Sequence, residues 1–294
     1  MIKIYKFIQT REKIMKILFI LCATFSIIAL ATITIFLAIN GIPFIAKIGI
    51  KDFLFSENWG PLNTNPTYGI LSMLVCSLYV TALSVLFGVG IGLFTAIALY
   101  KFVPKKFVGI ISYTINLLAG IPSVIYGLFG AEIIVPFLQD YVSPTGVGYG
   151  IFATSIVLAI MILPTIVSVS LDSLRSVPKE YYENALALGA TKEQSVFKVV
   201  VPSAKSGILA GVVLAIGRAI GETMAVIMVI GNSPSMPKSL FQSTRTMTAN
   251  IALGAMEMSG DALKALIATG VILFVFVLLL NLSFSLLKEK KEKR

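Results

Sequence analysis

The chain has 294 residues, 57% of them hydrophobic and 13% charged, with a mean hydropathy of +0.93. Soluble domains carry roughly 25% charged residues, so an ordinary water-soluble fold is excluded and a polytopic membrane protein is indicated. The 24 Lys and Arg against 14 Asp and Glu give a net charge of +10, an excess that would suggest nucleic acid in a soluble protein.

Apolar runs of about 20 residues cross the hydrocarbon core as helices. Such runs lie at 17–39, 69–100, 107–137, 148–171, 207–231 and 262–287, which predicts an all-α fold with six transmembrane helices. The first follows a basic start. Its apolar stretch is too long for a signal-peptide core and ends in no small-x-small cleavage pattern, so it reads as an uncleaved helix. The second and third are long enough to tilt or to extend beyond the bilayer. Gly120-Ile121-Pro122-Ser123 predicts a break or kink in the third, because proline removes a backbone bond and restricts the residue before it. A full split there would give seven spans and place the termini on opposite sides.

The positive charges separate along these spans. Segments 1–16, 100–107, 172–206 and 288–294 hold 18 of the 24 Lys and Arg, whereas 40–68, 138–147 and 232–261 hold four. The positive-inside rule then places both termini and the 172–206 loop in the cytoplasm. Anionic headgroups are a sufficient partner for these charges, and no nucleic acid is needed.

Counts remove several chemistries. With no histidine, imidazole metal sites, Ser-His triads and histidine proton relays are unavailable. Cys22 and Cys76 lie in separate apolar runs and read as small buried hydrophobes. No G-x-x-x-x-G-K-[ST] sequence occurs, so an ATP-cradling loop is not expected. Catalysis, metal and cofactor are not expected of this chain.

The 172–206 loop is patterned. Ser176-Val177-Pro178-Lys179-Glu180 reads as a helix start, Tyr181 to Leu188 as its body and Gly189 as its stop. A second amphipathic stretch runs from Lys192 to Val201 and ends at Pro202. Two short helices bent at a glycine make either a solvated hairpin or a docking knob.

The fifth span contains Gly217-Arg218-Ala219-Ile220-Gly221-Glu222-Thr223-Met224-Ala225-Val226. Taken as one helix from 205 to 231, it puts Arg218 at its middle, where a charge costs roughly 2.5–3.5 kcal/mol on insertion scales. Glu222 falls one turn on and can pair with it. At about 100° per residue the two share a face with small residues, and Gly207, Gly211, Gly217 and Gly221 are the expected helix-packing positions. Two roles are open. The pair locks a helix interface, or the Arg218 guanidinium offers a planar fork to a crossing oxyanion while Glu222 holds it when the path is empty.

Glu183-Asn184-Ala185, Gly189 and the closing Val199-Val200-Val201-Pro202 resemble the E-A-A loop of ABC-importer permeases, with Asn184 replacing an Ala and valines closing the motif. The Arg218 decamer and Leu118-Ala119-Gly120-Ile121-Pro122-Ser123-Val124-Ile125-Tyr126-Gly127 resemble the phosphate permeases of that family. A sister subunit, PstA-like, shares the loop but typically lacks the G-R-A-x-G-E-T-M-A wording.

The resemblance implies a type I importer-permease fold that translocates inorganic phosphate across the cytoplasmic membrane. Its implied partners are a second permease subunit (PstA-like), an ATPase dimer (PstB-like) and an external phosphate-binding protein (PstS-like). Glu183, Ala185 and Gly189 would then couple to the ATPase, and Arg218, Glu222 and Thr223 would line the substrate path. The chain divides accordingly into 1–68 (basic start, first helix, external loop), a permease core at 69–287 and a basic tail at 288–294. Alternatives are another oxyanion, such as sulfate or molybdate, and a non-transporting scaffold that recruits an ATPase. Glu132, in the third span, reads more readily as an interfacial acid than as a translocation residue. The loops at 40–68 and 232–261 are expected to cap the pore and meet the binding protein.

Overall fold

The computed structural model describes residues 2–292, with side chains over 11–283. The side chains of the basic tail expected at 288–294, and those of the first ten residues, lie outside the described residues.

In chain order, α1 (Ile2–Ile48) and the short α2 (Ile50–Phe55) lead into a two-stranded antiparallel pair, β1 (Trp59–Gly60) and β2 (Thr67–Tyr68). Next come α3 (Leu71–Ile97), α4 (Lys105–Ala119), α5 (Ser123–Phe129), α6 (Val135–Tyr141) and α7 (Ile151–Ser176). The loop region holds α8 (Lys179–Ala187), α9 (Lys192–Ser195) and α10 (Val201–Ser203). The chain then runs through α11 (Lys205–Gly221), α12 (Met224–Val229), α13 (Met247–Gly254) and α14 (Gly260–Glu292). Single π-helical turns join α3 to its C-terminal extension (Ala98–Phe102), α5 to α6 (Gly130–Ile134) and α9 to α10 (Val196–Val200).

The hub is α7, whose buried residues run from Ile151 to Leu174. Small residues on its neighbours make this possible. Gly88 and Gly92 of α3 lie directly against Ile162 and Ile166 of α7, and Ala215 and Ala219 of α11 pack on the same two isoleucines. Without lipid–water contrast to drive helices together, close backbone approach through such residues supplies the packing.

The first helix is apolar on every side and sits at the periphery. Phe19, Leu21, Phe25 and Ile27 all face outward, the surface a spanning helix offers to lipid. Its C-terminal part is anchored, with Gly41 against Ala268 and Val271 of α14 and Lys47 Nζ 2.6 Å from Asp261 Oδ2.

Two expected spans are interrupted. The run at 107–137 breaks at Pro122 (φ −58°, ψ 140°), whose extended conformation separates α4, closed at Gly120, from α5. No residue of α4 is buried, and only the Ser123–Tyr141 portion is long and apolar enough to cross a membrane. The run at 207–231 stops at Gly221 and resumes at Met224. Among the described residues five helices can span, and the pair Lys192–Ser203 and Lys205–Gly221, bent by 68°, makes a sixth when counted as one. The break at Pro122 therefore adds no seventh span. Pro202 lies within α10, and the chain turns at Ala204.

Candidate functional site

The break in the fifth span changes the geometry expected of its charges. Two glycines, Gly217 and Gly221, flank Arg218 and weaken the helix there. Glu222 leaves the helix in an extended conformation (φ −69°, ψ 134°). Arg218 therefore lies in the last turn of α11, where its positive charge faces the negative end of the helix dipole, and not at the centre of a continuous span.

Arg218 and Glu222 form no ion pair among the described residues, which contain only two salt bridges, both on Asp261. The Glu222 side chain instead accepts a hydrogen bond from the Ala225 amide at 3.2 Å and caps α12. Its carbonyl accepts from the Thr248 hydroxyl of α13 at 3.0 Å. The Thr223 hydroxyl donates to the Gly221 carbonyl at 3.3 Å. Glu222 and Thr223 are thus parts of the break itself. Arg218, half-buried, is within electrostatic reach of Tyr126, whose hydroxyl donates to the Leu118 carbonyl at 2.7 Å.

The four glycines of α11 divide into two pairs. A Cβ on Gly207 would lie 2.7 Å from the Ser173 Cβ, and one on Gly211 would lie 3.1 Å from the Val169 Cβ, so these two face α7. Gly217 and Gly221 have nothing within 4 Å. They open onto space beside Arg218.

In the loop, α8 and the segment Lys192–Ser203 form the two expected short helices. Gly189 takes a positive φ of 86°, the conformation that ends α8 and turns the chain. Thr191 then caps α9 in a reciprocal box with Gln194. Val177, Val196 and Val200 anchor this knob in a core with Leu171 and Leu174 of α7 and Ala96 and Leu99 of the α3 end. Glu183 is exposed and Ala185 half-buried, both on α8. Leu188, beside Gly189, is 89% exposed. An apolar side chain standing free of the molecule at the tip of a polar helix suits burial by a partner. Glu132, in the π-helical turn after α5, is partnered by no described side chain.

At the opposite end from this knob, residues 57–67 and 234–242 enclose a cleft of about 560 Å³ lined by Trp59, Asn63, Lys238 and Gln242 among others. Trp59 is buried, and its indole nitrogen has no hydrogen-bond partner. Behind the cleft Arg245 donates to the Asn232 carbonyl at 2.8 Å and to Asn250 at 3.2 Å. Burial pulls its guanidinium below the usual range, with Glu257 acting the other way.

One polar group was not expected from the sequence. Ser112 and Asn116 of α4 meet Ser168, Asp172 and Arg175 of α7 around a small cleft. The signal was present as polar residues at i, i+4 in one run and i, i+4, i+7 in another, a helical face within apolar sequence.

This arrangement of helices is that of the type I ABC-importer permeases. The chain superposes on the bacterial alginate ABC transporter, crystallised in complex with an alginate pentasaccharide-bound periplasmic protein, with a TM-score of 0.64 over 94% of this chain and 93% of the other at 18% identity. The inward-facing MetNI methionine ABC transporter matches with a TM-score of 0.58 over 74% of this chain and 95% of the other at 20% identity. At such identities the likeness shows the fold alone.

Residues 88–294 match the family model for the binding-protein-dependent transport system inner membrane component, and the chain belongs to that family. It is an ABC-transporter permease subunit of the cytoplasmic membrane. Among similar proteins, the probable ABC transporter permease protein YqgH of Bacillus subtilis is 39% identical, over 88% of this chain and 86% of its own length. The phosphate transport system permease protein PstC of Mesorhizobium japonicum is 37% identical, over 78% and 75%. PstC of Pasteurella multocida is 36% identical, over 82% of each chain.

Proposed function

We propose that this chain is the PstC-type half of an ATP-driven importer for inorganic phosphate. The observation that carries the reading is Arg218. It is a guanidinium in a broken spanning helix, beside two glycines with open space, and no described carboxylate pairs with it. A permanent cation at membrane depth is costly and marks a functional position, and its fork geometry matches a tetrahedral oxyanion. The relatives named as phosphate permeases support phosphate as that anion.

The 18 positive charges on alternate loops support an N-in, C-in orientation. The knob at 172–206 is then cytoplasmic, and Glu183, Ala185 and Gly189 present it to a separate ATPase dimer. The 57–67 and 234–242 loops are external and receive a phosphate-binding protein. A PstA-like subunit completes the pore opposite Gly217 and Gly221. ATP hydrolysis, performed by the partner, moves the knob and switches the side to which Arg218 is open.

The test is uptake by the reconstituted complex with phosphate, sulfate and molybdate in competition. Phosphate uptake that excess sulfate and molybdate leave unchanged is the expected result. Uptake of sulfate or molybdate in its place overturns the substrate, and ATPase recruitment without uptake of any oxyanion overturns transport.

A further inference from the structure

Between α4 and the loop end of α7 lies a cleft of about 190 Å³, whose polar lining is Ser112, Asn116, Ser168, Asp172 and Arg175. A water takes about 30 Å³, so the cleft has room for a tetrahedral oxyanion and part of its hydration. Its chemistry is rich in donors. The Ser168 hydroxyl donates to Asn116 Oδ1 at 3.1 Å, which orients the Asn116 amide and leaves its NH₂ available. The Ser112 hydroxyl is buried without any hydrogen-bond partner, a rare state for a polar group in a folded protein. Arg175 and Asp172 line the cleft, and no ion pair joins them among the described residues.

The position of the cleft relates it to Arg218. Gly207 faces Ser173 and Gly211 faces Val169, so α11 and α7 run antiparallel in one register. Continued along the helices, that register sets Arg218 level with Ile162, about 13 residues or ~20 Å from Arg175. Polar groups mark the interval. Tyr126, within electrostatic reach of Arg218, bonds the Leu118 carbonyl. Asn116 lies two residues before Leu118 and is held by Ser168.

We propose that this cleft is a second site for a phosphate oxyanion, with Arg175 as its cation and the Asn116 amide as its neutral donor. The proposal rests on the reading of the chain as an oxyanion permease and adds a station at the end of the path toward the 172–206 loop. An anion released by Arg218 is drawn on by a second guanidinium, and Asp172 beside that guanidinium keeps retention weak, so the anion departs. The same chemistry suits the phosphate of a lipid headgroup, and the experiment separates the two sources.

Ile115, an apolar residue of the lining, is changed to Cys in a chain carrying Cys22→Ser. The assembled complex is held in maltoside micelles, which carry no phosphate, and N-ethylmaleimide labelling is timed with and without inorganic phosphate. At about ten times the dissociation constant, phosphate slows labelling about tenfold by occupancy alone. Arg175→Gln removes the protection, and Asn116→Ala weakens it. Slowing on transfer to phosphatidylglycerol vesicles without free phosphate identifies a headgroup as the occupant; slowing by free phosphate in the phosphate-free micelles identifies the permeating ion. Labelling unmoved by either source, or protection undiminished in Arg175→Gln, overturns the site. Phosphate uptake by the unsubstituted complex is read separately. Uptake without protection removes the site alone, and protection without uptake removes the transport reading while the site stands.

Discussion

Glu222 Oε1 accepts the Ala225 amide at 3.2 Å, so the acid one helical turn beyond Arg218 caps the next helix and leaves the arginine without it. The bond requires an acceptor and no charge. Glu222→Gln therefore retains the cap and the thermal stability of the complex, whereas Glu222→Ala destabilises it by about 1 kcal/mol, the usual cost of a lost N-terminal cap. Thermal unfolding of the purified complex checks this, and equal losses for the two variants would remove the capping role.

Arg218→Ala removes a charged donor from the path, and such donors contribute about 1.5–3 kcal/mol, so phosphate uptake falls roughly 10- to 100-fold. Assembly with the partner subunits persists, because Arg218 bonds to no described residue. Arg218→Lys keeps the charge but loses the fork, and uptake is intermediate. Uptake by Arg218→Ala equal to that of the unsubstituted complex would sink the anion-path reading.

What the sequence disclosed follows from the range of the physics. The spans, the turn at Gly189 and the approach of Gly207 and Gly211 rest on local pattern, namely apolar length, a glycine stop and small residues one turn apart, and each is legible along the chain. The break at Glu222-Thr223 is not. No proline marks it, and its carbonyl is satisfied by Thr248, 26 residues away in sequence. Periodicity continued the helix through that point and so paired Arg218 with Glu222. The α4–α7 cleft was hidden for a similar reason. Its polar face is split between two spans 52 residues apart at the Asn116–Ser168 bond, and neither half alone differs from a few tolerated hydroxyls.

The two glycine pairs of α11 separate packing from the space beside Arg218. Gly207→Leu drives a side chain into Ser173 and destabilises the complex by about 1–3 kcal/mol, the range for overpacking. Gly217→Ala meets nothing within 4 Å in this chain. Its effect appears in uptake, or in association with the second permease subunit, and not in the stability of this subunit. Thermal unfolding of the isolated subunit and co-purification of the pair distinguish the two sites. A loss of subunit stability in Gly217→Ala as large as that in Gly207→Leu would contradict the division.

Gly189 has open space around it and a φ of 86°, so its only constraint is the backbone. Asparagine enters the left-handed region at little cost, whereas a β-branched side chain there costs about 1–2 kcal/mol or more. Gly189→Asn therefore preserves the turn that follows α8 and, with it, ATP hydrolysis stimulated by substrate. Gly189→Val relieves its strain by moving α8, which shifts Glu183 and Ala185 away from the ATPase. In that variant the ATPase co-purifies poorly, or it hydrolyses ATP without driving uptake. Nothing packs on position 189 within this chain, so any difference between the two variants reports backbone conformation at the knob or its contact with the ATPase, and not a clash inside this subunit. Co-purification and the ratio of phosphate imported to ATP hydrolysed are the measurements, and coupled uptake unchanged in Gly189→Val would show that the turn plays no part in docking.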